Sequence, residues 1–215
     1  MAEFKNTNLK MLALEQKKKG DLESAATTLQ QAIAAAGQEL ADLHGILGGV
    51  RKVQGSFALA AAAYDAGFWI DSQYESLSSY NELNRLIMRI RLCPGAMSDP
   101  EQLRKEDTLA FVDLRHALSQ LEQALKRQLK TARSDDYWAA GDLALTAALN
   151  GNKRTAFEAV EKFVSCATSS NAAAYEAYIR TLNELGQLDT PQKELLLEVK
   201  ALLEKKRPGH KVDLS

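Results

Sequence analysis

Three glycines set the frame of this chain. Gly20 is followed by Ala25, Leu29 and Ala32, Gly55 by Ala60, Tyr64 and Gly67, and Gly151 by Ala156, Val160 and Phe163, each set at the same offsets. Glycine enters the left-handed backbone of a tight turn that other residues adopt poorly. A small residue early in the segment after the turn lets a return helix approach the one before it closely. Each glycine is therefore predicted to join two antiparallel helices. Around Gly55 the pattern is fullest: Gly48 supplies a close approach in the first helix, Ala60 a second small contact, and Tyr64 and Phe68, one turn apart, a single apolar ridge.

Gly20 and Gly55 stand 35 residues apart, and this grammar resembles the roughly 34-residue tetratricopeptide (TPR) repeat. The resemblance implies an all-α fold: a TPR-like right-handed array of antiparallel helical hairpins, about ten helices with one long central helix. An unrelated helical bundle with glycine turns is the alternative. Ala and Leu dominate an apolar fraction of 46%, and only 4 Pro interrupt 215 residues, which favours helix throughout. A chain of this size builds its core without staples. The expectation is a single domain over 1–215: two hairpins over 1–70, an irregular helical middle over 71–134 with a polar linker near 94–106, two further hairpins over 135–206 and a tail over 207–215.

In chain order, a first hairpin from Thr7 to Ala36 lines one face with Leu9, Leu12 and Ala13, and Lys17, Lys18 and Lys19 suit a helix C-terminus. The second runs from Gln38 to Ile70. Asp71 or Ser72 then caps a helix whose stripe is Tyr80, Leu83, Leu86, Ile87 and Ile90, stopped by Pro94-Gly95. The long helix runs from Thr108 to Arg133, with Phe111, Leu114, Leu118, Leu121, Leu125 and Leu129 as a coiled-coil-like seam. Ser134-Asp135-Asp136 caps the next helix, Asn171 to Leu185 forms another, and Thr190-Pro191 opens the last.

The segments YDAGFWIDSQY…YNELN and DDYWAAGDLALTAALNGNKRTAFEAVEKF carry a second resemblance. With Tyr80, Leu83 and Asn84 at a helix start, Glu82 where Gly is usual, and a helix led by Trp138, residues 55–188 resemble the TPR-like TRAF-binding region of the apoptosis signal-regulating kinases and its bacterial relatives. That resemblance implies a helical scaffold that holds or regulates protein partners. It does not imply TRAF binding here.

Catalysis finds no purchase in the sequence. His44, His116 and His210 are scattered without metal-ligand spacing, and Cys93 and Cys166 follow no redox or metal pattern. No cofactor is expected. A net charge of -1 and a pI near 6.3 give no global field for nucleic acid. No apolar run is long enough to span a bilayer, and the N-terminus lacks a signal-peptide core, so a soluble cytoplasmic protein is expected.

The leading expectation is a non-catalytic scaffold or adaptor that binds a partner protein or peptide in the concave groove of stacked hairpins. The candidate groove residues are Lys10, Leu14, Lys17, Asp42, Gly45, Gly49 and Lys52. TPR domains that clamp a chaperone's C-terminal carboxylate use Lys and Asn one turn apart. Lys10 fits the first place, but Leu14 occupies the second. Two alternatives remain. One is a sensor binding an anionic ligand or nucleic acid at Arg85 and Arg89, residues otherwise read as a solvated face paired to acids. The other is self-assembly into a homo-oligomer through the 111–129 helix.

Overall fold

Each of the three frame glycines builds the same turn. Gly20, Gly55 and Gly151 have φ of 82°, 75° and 75°. In the first turn the Gly20 amide donates to the Lys17 carbonyl at 3.1 Å and the Asp21 amide to that of Gln16 at 3.0 Å. The pairs Gly55–Lys52 and Ser56–Arg51, then Gly151–Ala148 and Asn152–Ala147, repeat both bonds. This is the Schellman ending of a helix, in which a left-handed glycine lets two amides satisfy orphan carbonyls. The residue after each glycine also starts the next helix. The carbonyls of Asp21, Ser56 and Asn152 accept the amides of Ala25, Ala60 and Ala156. Asp21 and Asn152 cap with their side chains as well, through Ser24 and Thr155. One residue thus ends one helix and begins another, and no loop intervenes.

The computed structural model describes residues 2–36, 40–74, 76–105, 111–167 and 171–207. Among them are ten α-helices and no strand: α1 (Ala2–Lys18), α2 (Leu22–Ala35), α3 (Ala41–Val53), α4 (Phe57–Gln73), α5 (Tyr80–Leu92), α6 (Leu114–Lys130), α7 (Tyr137–Leu149), α8 (Lys153–Cys166), α9 (Ala172–Gly186) and α10 (Lys193–Lys206). The fold is all-α, built of antiparallel hairpins, as the glycine frame predicts. Gln38, Thr108, His210 and the tail beyond Arg207 lie outside the described residues.

The chain divides into two compact units, one holding α1–α5 and one holding residues 93–105 with α6–α10. In the first, consecutive helices pack against each other, and α5 returns to touch α3 as well as α4. Its core is made of small residues, Ala13, Ala25, Ala26 and Ala32, wedged by Leu29, Leu43 and Val50. Leu12 does not join them and is 45% exposed. Two glycines in helices explain the close packing. A Cβ on Gly48 would meet the Tyr64 ring at 2.7 Å, and one on Gly67 would meet Asn81 at 2.6 Å.

In the second unit, α7 packs on α6 and α8, and α10 pairs with α9 and reaches α8 and α7. A Cβ on Gly141 would strike the Tyr178 ring at 2.3 Å. That ring's hydroxyl donates to the Trp138 carbonyl and to Asp142. Glu122, 6% exposed, ties α6 to the third glycine turn: it accepts from Lys126 on its own helix and from the amides of Asn150 and Asn152 at 2.8 and 2.9 Å.

Three expectations are corrected by local hydrogen bonding. The helix expected from Thr108 starts at Leu114, because the Asp113 carboxylate accepts the His116 amide and caps it there. Asp71 and Ser72 do not cap a new helix. α4 runs through them, Ser72 donates back to Phe68 and Trp69, and the Asp71 carboxylate takes the Asn81 side chain. The last helix starts at Lys193 rather than at Thr190, whose carbonyl accepts the Lys193 amide within a turn. The linker near 94–106 contains two short 3-10 helices, Pro94–Met97 and Pro100–Lys105, and buries Ala96, Met97 and Leu103.

A candidate partner-binding face

Two contacts join residues predicted for the groove: Lys10 with Asp42, and the Lys17 ammonium with the surroundings of Gly49. α1 contributes Lys10, Leu14 and Lys17, and α3 contributes Asp42, Gly45, Gly49 and Lys52. Lys10 and Asp42 form an ion pair between the two helices, both of them substantially exposed. Leu14 and Lys52 are half-buried, and Gly45 and Gly49 are buried. A pair this exposed stabilises by about 1 kcal/mol or less, so it orders the face more than it holds the fold.

What closes the face on its far side is α5, which the sequence reading did not place there. Asn81, 2% exposed, donates to the Ala41 carbonyl at the start of α3 and to Asp71 near the end of α4. Room for it comes from Gly45, where a Cβ would meet Asn81 at 2.8 Å, and from Gly67. Asn81 in turn brings its neighbour Tyr80 against α3. The Tyr80 and Tyr64 rings meet edge to face at 5.9 Å. Burial, with Tyr80 beside it, pushes the Tyr64 hydroxyl well above the ordinary tyrosine value.

Lys17 is the third member of this group. Its ammonium lies 3.3 Å from the point where a Cβ on Gly49 would sit, with the Tyr80 and Tyr64 hydroxyls 3.6 and 3.7 Å from the same point. Burial lowers the Lys17 ammonium below the ordinary lysine value. No carboxylate among the described residues pairs with it, whereas Lys19, two residues on, pairs with Glu15 at 2.8 Å. Lys17 sits in the last turn of α1 as expected, but its side chain crosses to α3.

Arg85 and Arg89 do not form a solvated face. They are 8% and 0% exposed. Asp65 on α4 accepts Arg89 Nη2 at 2.6 Å and faces Arg85 Nη1 at 3.6 Å, and the Arg85 guanidinium stacks on the Phe68 ring at 3.6 Å. Arg89 Nη1 donates to the Arg85 carbonyl within the helix. Their charge is directed into the α4–α5 packing. The stripe on α5 signalled an amphipathic helix, but the acid that claims both arginines stands 20 and 24 residues earlier, where no local pattern points to it.

The 111–129 seam is likewise occupied at home. Leu114, Leu118, Leu121 and Leu125 are at most 2% exposed within the second unit, so dimerisation through them would require unpacking it. Phe111, 39% exposed, lies before the helix, with Arg104 over its ring. Cys93 and Cys166 are free thiols, half-buried. The described residues contain no group of three or more His, Cys, Asp or Glu placed to hold a metal. No helix among them is long and apolar enough to cross a membrane.

No protein-family model matches the chain. No curated protein matches it either. Among solved structures, the chain is similar to a putative kinesin light chain of Podosopora anserina with nearly identical TPR-like repeats: 20% identity, 94% of this chain and 96% of that one covered, TM-score 0.44.

Proposed function

We propose that this chain is a non-catalytic protein-interaction scaffold, and that its first unit binds a partner peptide along the face formed by α1, α3 and α5. The observation that carries this reading is the composition of that face. Charged side chains from α1 and α3, the Lys10–Asp42 pair among them, stand beside the half-exposed Tyr80 of α5, and the buried Gly45 and Gly49 let Asn81, Tyr80 and Lys17 pack closely on α3 beneath them. Such a face, with charges of both signs and an aromatic ring at its border, suits the side chains of an extended or helical peptide.

The test is capture of partners from the native host by the tagged chain, beside a Lys10→Glu/Lys52→Glu variant whose helix content is checked by circular dichroism. A near-stoichiometric partner held by the wild type and lost by the folded variant supports the reading. A partner held equally by both puts the site elsewhere. Recovery of the bait alone counts against a scaffold.

A further inference from the structure

The three helices that follow the frame glycines can be compared position by position. At 4, 7, 11 and 14 residues after Gly20, α2 carries Ser24, Thr27, Gln31 and Ala34. At the same offsets from Gly151, α8 carries Thr155, Glu158, Lys162 and Ser165. After Gly55 these places on α4 hold Leu59, Ala62, Ala66 and Trp69. Leu59 and Trp69 are 56% and 63% exposed, Ala62 is exposed and Ala66 half-buried. The rest of α4 is engaged within the first unit. Ala60, Tyr64, Gly67 and Ile70 are buried, and Asp65 and Asp71 are taken by Arg89 and Asn81 of α5. A helix that is apolar on every side is ordinarily covered on every side, and α4 is not.

The exposed row reads the same in both directions. Its spacings are three, four and three residues. An antiparallel copy with the twofold axis between Ala62 and Ala66 therefore sets each Ala62 against the second copy's Ala66, and each Leu59 against the second copy's Trp69. Small residues at the crossing let two helix axes approach closely, and the large ones at the ends close over it. Charge favours the same occupant. α4 has no acid in its first turn and no base in its last, so neither pole of its dipole is compensated, and an antiparallel copy brings the opposite pole to each end. The row has no ionised side chain, so two copies meet there without like-charge repulsion. An anionic membrane surface calls for lysine or arginine beside the apolar row, and α4 contains neither.

We infer that α4 is the interface of a twofold homodimer, antiparallel to α4 of a second copy and centred on Ala62 and Ala66. α4 has 17 residues and is about 25 Å long. Covering its row removes on the order of 400–500 Å² per copy. The total, about 800–1,000 Å², lies below the roughly 1,200–2,000 Å² of stable complexes. The dimer is therefore concentration-dependent, with a Kd on the order of 10–100 µM. It uses a different helix from the partner-binding face on α1, α3 and α5, and it leaves the leucine seam of α6 packed.

The experiment is sedimentation velocity of the full chain across concentrations that bracket that Kd. The expected result is a rise from monomer to dimer mass. Trp69 emission, read alone in a Trp138→Phe background, should move to shorter wavelength over the same range. Ala62→Lys puts a good helix former at an exposed position and a charge at the crossing. It should weaken the dimer about tenfold or more, with helix content and the urea midpoint of the monomer unchanged. Trp69→Gln should weaken the dimer without adding a charge. A mixture of the Ala62→Lys and Ala66→Glu chains should dimerise more tightly than either alone, because antiparallel alignment sets the introduced ammonium against the introduced carboxylate.

A monomer mass at every concentration, with Trp69 emission unmoved, overturns the inference. So does a dimer that Ala62→Lys and Trp69→Gln both leave intact, which puts self-association elsewhere. A monomer that captures a different protein from the native host, lost in the folded Ala62→Lys variant, overturns it too and gives the row to that partner. No gain in the mixture overturns the antiparallel alignment. The Lys10→Glu/Lys52→Glu variant should dimerise as the wild type does, so failure of the dimer and failure of the scaffold reading are read separately.

Discussion

Replacing Asp65 by alanine should unfold a large part of the first unit's stability margin. The Asp65 carboxylate is the acid facing two buried guanidiniums, at 2.6 Å from Arg89 and 3.6 Å from Arg85. At an effective dielectric near 20, a pair about 4 Å apart interacts by about 4 kcal/mol, and removing one partner of a buried pair costs about 3–5 kcal/mol because the other charge is stranded. Asp65 keeps 18% side-chain exposure, so water can enter where the carboxylate was. That places the loss near the lower figure, about 3 kcal/mol. A unit of this size holds roughly 5–10 kcal/mol in all. With a urea slope of about 1–1.5 kcal/mol/M, the midpoint should fall by about 2–3 M.

The assay can read this unit alone. Trp69 lies in α4, four residues from Asp65, and Trp138 in α7 is the other tryptophan; a Trp138→Phe background leaves fluorescence to report on α4. Asp65→Leu/Arg89→Met, which removes the carboxylate and the more deeply buried of its two cations, should recover part of the loss, since an apolar replacement of a buried pair is often neutral while Arg85 stays stranded. Little should change between low and high salt, because buried pairs are weakly screened. A midpoint shift below about 0.5 M in Asp65→Ala would refute the reasoning, as would a double variant no more stable than the single one.

Two further perturbations probe the turns. Gly20→Ala, Gly55→Ala and Gly151→Ala would each place a Cβ in open space, so the cost is that of a left-handed φ alone, about 1 kcal/mol. Gly48→Ala should cost about 1–3 kcal/mol through overpacking on Tyr64, and a rise in urea midpoint at any of the four would contradict the assignment. At Glu122, burial opposes the charge, but Lys126, Asn150 and Asn152 outweigh it, and the carboxyl is held below the ordinary glutamate value. Its folded pKa is depressed, so its contribution is present above the unfolded value and is lost as pH falls through the folded one. Glu122→Gln should therefore flatten the loss of stability below about pH 4.3 in acid titrations of unfolding, and an unchanged acid limb would count against the clamp.

The turns were legible in the sequence because everything that makes them is contiguous. A glycine at positive φ, a cap one residue later and an alanine four residues after that all belong to one short stretch, and the physics that joins them is local. Asp113 was equally local, yet the leucine seam running across it drew the expected helix too far toward the N-terminus. Here a cap outranked periodicity, since an acceptor for an orphan amide stabilises a helix start that an apolar stripe does not define.

The binding face was half legible, for a reason that lies in the glycines themselves. All of them read alike in sequence, but they divide by what surrounds them. Gly20, Gly55 and Gly151 have empty space and a positive φ; Gly45, Gly48 and Gly67 have helical backbone and a neighbour a Cβ would strike. The first group can be recognised from its flanks. The second depends on Tyr64, Tyr80 and Asn81, of which Asn81 stands 36 residues from Gly45 and owes its place to hydrogen bonds with α3 and α4. Without α5 in position, Lys17 reads as one of three lysines closing a helix. With α5 there, Lys17 and Lys19 have different physics: Lys19 pairs one turn back with Glu15 in solvent, while Lys17 points across to Gly49. A run of like residues thus divides by what stands across from each, which no local pattern encodes.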